Sequence, residues 1–165
     1  MWLLFCSTEA KAQVRSLIDL GCTDTGMRLT RIDAEDGDTA CTHIGGREVR
    51  TNLNPADDFY MYFDYDDFEA QYAFSLEVSF LYYDVRGLAC RLEFDTHSNP
   101  YQPTPYFAST GTNTWRNAQF RIYGHEMRGR QNSGADFRFH CTPGASFYVD
   151  RIEIIVCSPL FEFCA

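Results

Sequence analysis

Three pairs of carboxylates stand close together in the chain: Asp57 with Asp58, Asp64 with Asp66, and Asp66 with Asp67. Hydrolysis of a glycosidic bond needs two such groups across a cleft, roughly 5 to 9 Å apart. One protonates the leaving oxygen and the other acts as base or nucleophile. Asp64 and Asp66 sit two apart on a strand-like stretch and so share a face at a suitable spacing. The plainer reading of the same residues is a solvated strand end leading into a turn. His125-Glu126 opens like the zinc-ligating His-Glu-x-x-His pattern, but residue 129 is Gly, and the stretch reads as a loop rather than a helix. Neither a Gly-x-x-x-x-Gly-Lys-Ser/Thr phosphate cradle nor a Gly-x-Ser-x-Gly nucleophile turn occurs. The histidines at 43, 97, 125 and 140 are scattered, and Lys11 is the only lysine. These residue types assemble no catalytic constellation, so a small independent enzyme ranks last among the readings.

The elements that must position any site are strands. The chain has 165 residues, the size of one domain. With 45% hydrophobic and 16% aromatic residues it can fill one core. A formal charge of −9 opposes nucleic acid and anionic membrane surfaces alike. No run of 18 apolar residues is present to span a membrane as a helix. Residues 1–13 show no alternation and read as a leader or frayed segment. Their apolar start is shorter than the roughly 7 to 15 residues of a secretory h-region, so no signal peptide is predicted. Strands are predicted at 14–20, 27–32, 42–44, 47–51, 59–65, 74–85, 88–95, 106–109, 115–123, 135–141 and 147–156. The clearest is 74–85, where Phe74, Leu76, Val78, Phe80 and Tyr82 alternate with more polar residues. Gly87 then suggests that this strand and the next form a β-hairpin. The alternation predicts a core of Phe74, Leu76, Val78, Phe80, Leu92, Phe94, Phe120, Ile122, Ile152 and Ile154. Many short strands without helical periodicity predict an all-β fold, an antiparallel β-sandwich of jelly-roll type, over residues 14–157, with a tail at 158–165.

Seven cysteines lack any Cys-x-x-Cys pair and have irregular gaps, which removes zinc-ribbon and thioredoxin readings. Most are expected to be reduced, with Cys90 an unpaired thiol packed in the core. Cys157 with Cys164 is the pair most suspected of bridging.

Five stretches, in order, resemble segments of known modules. They are Gly-Gly-Arg at 45–47, Asp-Phe-Tyr-Met-Tyr-Phe-Asp-Tyr-Asp-Asp at 58–67 and Thr-Trp-Arg-Asn-Ala-Gln-Phe at 114–120. Gly-Arg-Gln-Asn-Ser-Gly-Ala-Asp-Phe-Arg at 129–138 and Phe-Tyr-Val-Asp-Arg-Ile-Glu-Ile at 147–154 complete the set. Together, over about 14–157, they resemble the accessory carbohydrate-binding β-sandwich modules, galactose-binding-like jelly rolls, attached to bacterial glycoside hydrolases and polysaccharide lyases. The resemblance implies a non-catalytic module that binds a polysaccharide or glycan, or one that braces a neighbouring catalytic domain as a spacer. It implies a secreted or cell-surface location. The Gln-x-His and Tyr-x-Lys-x-Gly-x-Tyr patterns of the sandwich alginate lyases are absent. Modules of this fold often hold a structural calcium, for which Asp150, with Asp19 or Asp36, offers oxygen ligands; the alternative is that Asp150 pairs with an arginine.

Sugar recognition needs aromatic planes for the C–H face of a pyranose and fixed polar groups for its hydroxyls. Tyr101 and Tyr106 lie in and just after a loop stiffened by Pro100, Pro103 and Pro105. Trp115 opens a strand on the parity opposite to Ala118, Phe120 and Ile122. Arg130 lies in the polar stretch 124–134. These four, Tyr101, Tyr106, Trp115 and Arg130, are the predicted carbohydrate-binding residues. A core-covering role for Trp115 and an inward-packed Tyr106 are the structural alternatives.

Overall fold

The computed structural model describes residues 15–34, 36–57, 59–67 and 73–157. Thirteen strands lie among them: β1 (Arg15–Asp19), β2 (Thr25–Met27), β3 (Leu29–Ile32), β4 (Thr39–Ile44), β5 (Arg47–Asn52), β6 (Tyr60–Tyr65), β7 (Ser75–Tyr83), β8 (Ala89–Phe94), β9 (Gln102–Pro103), β10 (Phe107–Ala108), β11 (Trp115–Tyr123), β12 (Phe137–Cys141) and β13 (Val149–Cys157). A 3-10 turn at Asn132–Gly134 is the one helical element described. The predicted leader at 1–13 and tail at 158–165 lie outside the described residues.

The strands form two antiparallel sheets. One has seven strands in the order β11-β7-β13-β1-β2, with β5 also on β13 and β4 on β5. The other has six, β10-β8-β12-β6-β3, with β9 on β8. This is the predicted all-β sandwich of jelly-roll type. The chain changes sheet between β2 and β3 at Arg28, whose φ of 59° is a left-handed turn between two strands that would otherwise run on as one. The single strand predicted over 27–32 is therefore split.

Apolar side chains at alternate positions fill the space between the sheets. Leu76, Val78 and Phe80 from β7 and Ile152 and Ile154 from β13 face Leu92, Phe137 and Phe139 of the opposite sheet, and all are buried. Phe80 meets Phe139 across the interface at 4.9 Å between ring centres, steeply tilted, and Phe147 joins them. Such pairs add about 0.5 to 1.5 kcal/mol each beyond their burial.

Four expectations are corrected. β7 and β8 are not a hairpin: β7 pairs with β11 and β13, while β8 pairs with β12, β9 and β10 in the other sheet. Alternation reveals the buried face of a strand, and both strands bury one, but it does not name the neighbour. The turn at 84–88 crosses the sandwich instead. Phe74 is 61% exposed, because β7 starts one residue later and its last partner, Tyr123, lies opposite Ser75; Phe74 packs on Tyr123 beyond the core. The strand predicted over 147–156 is interrupted by a bulge between Val149 and Arg151, so Phe147 and Val149 point inward before the bulge and Ile152 and Ile154 after it. Finally, cysteines are bridged: Cys22 to Cys41, and Cys90 to Cys141. Cys90 is buried as expected, but it lies directly opposite Cys141 on adjacent strands, close enough to bond. Cys157 is also in a disulfide; Cys164, its suspected partner, lies outside the described residues.

The turn that crosses the sandwich rests on Asp84, which is fully buried. Its carboxylate accepts from the backbone N–H of Thr110, Gly111 and Thr112 and from both threonine hydroxyls. Burial alone would raise its pKa; these five donors outweigh that and hold it well below the ordinary carboxylate range.

Candidate functional site

The outward face of the six-stranded sheet carries ranks of side chains across β8, β12 and β6. The first rank is Arg91, His140 and Tyr60; the second is Glu93, Arg138 and Tyr62. Registered strands lie about 4.8 Å apart, so each rank brings its members into contact. Glu93 is the hub, only 3% exposed. It accepts from Arg91 at 2.5 and 2.9 Å, from Arg138 at 2.7 Å and faces His140 Nδ1 at 2.8 Å. Burial would raise its pKa; His140, Arg138 and Arg91 overcome that and lower it.

Arg138 lies between two tyrosine rings, 3.8 Å from the centre of Tyr60 and 4.3 Å from that of Tyr101. It also donates to the Tyr62 hydroxyl at 2.7 Å. Tyr62 is fully buried and its hydroxyl donates to Asp36 at 2.8 Å; burial and Asp36 push its pKa up. Arg91 stands 4.9 Å from the Tyr106 ring, which is 52% exposed. The result is a tyrosine-rimmed surface over a charge network whose members satisfy one another.

Two loops hold this rim. The Tyr101 hydroxyl donates to Asn132 at 2.8 Å, and the Gln131 amide donates to the carbonyls of Glu93 and Pro100. Arg130 grips Asp95 through two nitrogens and also donates to the carbonyls of Thr96 and His97. Asp95, fully buried, accepts in turn from the Arg128 backbone.

Of the four predicted residues, Tyr101 and Tyr106 border this face. Arg130 braces the loops beneath it, with its guanidinium turned to Asp95. Trp115 lies on the other sheet, where its Nε1 donates to Gly45 at 2.9 Å and its ring meets Tyr83 edge-on. The structure therefore does not bring the four together. Sequence reasoning missed Tyr60, Arg91, Glu93, Arg138 and His140. Their signal was there in part: the outward positions of three predicted strands hold Arg, His, Tyr and Glu in place of Ser, Thr or Lys.

Asp64 continues the same face beyond Tyr62. It meets Asp136, whose two oxygens accept from Tyr65 and Gly129 backbone N–H groups at 2.9 and 2.7 Å. Burial, together with Asp64, raises Asp136 to about 6 although those two N–H groups oppose it. Asp66 lies past the strand end, exposed, in the same acidic hollow of about 420 Å³. The calcium ligands anticipated from sequence are separately engaged: Asp150 with Arg47, Asp19 with Arg151 and Asp36 with Tyr62. Among the described residues, the one group of three metal-ligating side chains is Cys22, Cys41 and Glu48, and two of these form a disulfide.

No family model matches the chain, and no curated protein matches it in sequence. Its fold does match solved structures. A family 29 carbohydrate-binding module from Piromyces equi superposes with a TM-score of 0.56 at 10% identity, covering 92% of this chain and 96% of that one. The C-terminal CBM6 of LamC, a marine laminarinase from Zobellia galactanivorans, gives a TM-score of 0.46 at 12% identity over 77% of this chain and 98% of that one. The chain thus has the β-sandwich fold of a carbohydrate-binding module, as the first comparison shows.

Proposed function

We propose that this chain is a carbohydrate-binding module that holds a glycan chain on the open face of its six-stranded sheet, without catalysis of its own. The observation that carries the reading is Arg138 clamped between Tyr60 and Tyr101. The clamp leaves aromatic surface and N–H donors at the rim while the charges beneath are already satisfied. A sugar ring stacks its C–H face on such a plane and directs hydroxyls to Arg91, His140 and the tyrosine hydroxyls. Glu93 is saturated by its three partners, so it is not free to serve as acid or base in cleaving a glycosidic bond. In this reading the module serves a neighbouring catalytic domain of a carbohydrate-active enzyme. The disulfides support a secreted or cell-surface setting, since such bonds persist in oxidising compartments.

A shallow aromatic face gives affinities from micromolar to millimolar, about −4 to −8 kcal/mol. Calorimetry against a polysaccharide panel tests the reading. Tyr60→Ala and Tyr101→Ala should each weaken binding by about 1 to 2 kcal/mol, the worth of burying a large ring. Tyr123→Ala, an exposed tyrosine elsewhere, should leave binding unchanged. Glycan binding that survives both rim changes with the fold intact would place the site elsewhere. Release of reducing ends by the chain, lost in Asp64→Asn, would make it an enzyme.

A further inference from the structure

Two segments singled out in the sequence, Gly45-Gly46-Arg47 and Thr114–Phe120, take no part in the face described above, yet they meet each other on the opposite sheet. The tip of the β4–β5 hairpin leans on Trp115 and Tyr83. Gly45 has φ 56°, and a Cβ there would fall 2.6 Å from the Tyr83 ring and 2.7 Å from Trp115 Nε1, so only glycine seats the tip this closely. Arg47 then lies 5.2 Å from the centre of the Trp115 ring and bonds Asp150 at 2.5 Å.

Below this wall, the outward side chains of β11, β7 and β13 form two ranks, Asn117–Leu81–Arg151 and Gln119–Ser79–Glu153. With Arg47 they line a groove of about 650 Å³, within the usual range for small-molecule sites. We propose that this groove is a second carbohydrate site, taking a neutral oligosaccharide on the sheet opposite the first.

The chemistry selects the ligand. Arg47 is held by Asp150, and Arg151 by Asp19 at 2.6 Å with Glu153 near at 3.9 Å, so no unbalanced charge remains to draw an anion. The net charge of −9 repels polyanions further. Asn117 and Gln119 are exposed, and their side-chain amides make no hydrogen bond among the described residues. Each amide offers two donors and an acceptor, the complement of vicinal hydroxyls. Leu81, between Asn117 and Arg151, supplies the apolar part of the floor.

The inference rests on the proposed function only for its class of ligand, and one experiment separates the two. Isotope-labelled protein is titrated with cello-, laminari-, xylo- and manno-oligosaccharides while the side-chain amides of Asn117 and Gln119 are followed by NMR. The same is done for Tyr60→Ala/Tyr101→Ala, which disables the first face, and for Asn117→Ala/Gln119→Ala. Groove signals should shift with an unchanged midpoint in the tyrosine variant. In the amide variant, backbone signals of Ser79 and Leu81 should show at least a tenfold weaker midpoint. Shifts in the groove without shifts at the face uphold this site and refute the first. An unmoved groove refutes this site, whatever the face does. Groove signals that depend on protein concentration and not on sugar also overturn it, making this a contact between two copies of the chain.

Discussion

Replacing Glu93 by Gln tests the charge network directly. The carboxylate faces three cationic or ionisable side chains within 2.9 Å and is 3% exposed. Glutamine keeps the shape but removes the charge, and its amide turns donors toward donors. Arg138 is then a buried cation without its counter-charge, 11% exposed beneath two tyrosine rings. Breaking one partner of a buried pair costs about 3 to 5 kcal/mol. For a chain of this size that lowers Tm by about 6 to 20 °C, at roughly 2 to 4 °C per kcal/mol. Urea denaturation at pH 7, followed by fluorescence and circular dichroism, measures it. The double variant Glu93→Gln/Arg138→Met should recover much of the loss, because the stranded cation is gone. Acid should also close the gap. Glu93 has a folded pKa below its ordinary 4.5, so its contribution is full above that value and fades as pH falls through the lowered one. A Glu93→Gln protein within about 0.5 kcal/mol of the parent at pH 7, the range of an ordinary surface change, would refute the reasoning.

Asp136 should behave oppositely. Its folded pKa of about 6 lies above the ordinary 3.8, so the fold binds that proton more tightly than the unfolded chain does. Stability should rise as pH drops from 7 through 6 toward 4, and Asp136→Asn should flatten that segment of the denaturation profile; an unchanged segment would reject the assignment. Replacing Cys90 and Cys141 together by Ala opens a loop of 51 residues and should cost about 2 to 5 kcal/mol in urea denaturation. A loss under 1 kcal/mol would mean that the bridge constrains little. Gly45→Ala should destabilise by about 1 to 3 kcal/mol through crowding against Tyr83 and Trp115, and the indole N–H signal of Trp115 should move; an unmoved signal would mean that the hairpin tip yields without leaving the ring.

Alternation made the strands readable. Leu76, Val78 and Phe80 were placed inward, and Trp115 outward, from a two-residue period alone. What the period cannot carry is partnership across the chain. The β7–β8 turn looks like a hairpin until the neighbours of each strand are known, and the bulge at Asp150 reverses a face that the pattern treats as uniform. The proposed binding face is hard to read for the same reason. Arg138 acquires its meaning from Tyr60, Glu93 and Tyr101, all 37 or more positions away. Along its own strand it is one polar residue alternating with Phe137 and Phe139, which is how any solvent-facing position looks. Tyr101 and Tyr106, which border this face, stand out in the sequence because prolines around them mark a stiff loop, a local signal. The cysteine pairing was lost because opposition of Cys90 and Cys141 is a matter of register, and register is not written in their spacing of 51.

The place of β13 in the seven-stranded sheet governs how the chain is made. It sits between β7 on one side and β1 and β5 on the other, and it is the last strand described. During synthesis at about 5 to 20 residues per second, β1 therefore waits for a partner that emerges more than 130 residues later, as the Asp19–Arg151 register requires. Until then β1, β5 and β7 each keep an open edge, and the half-built sheet cannot close over the phenylalanines of its partner. Such long-range pairings place the fold in the slow class of all-β topologies. A ribosome that stops short of Val149 releases a chain with three sticky edges and no finished core.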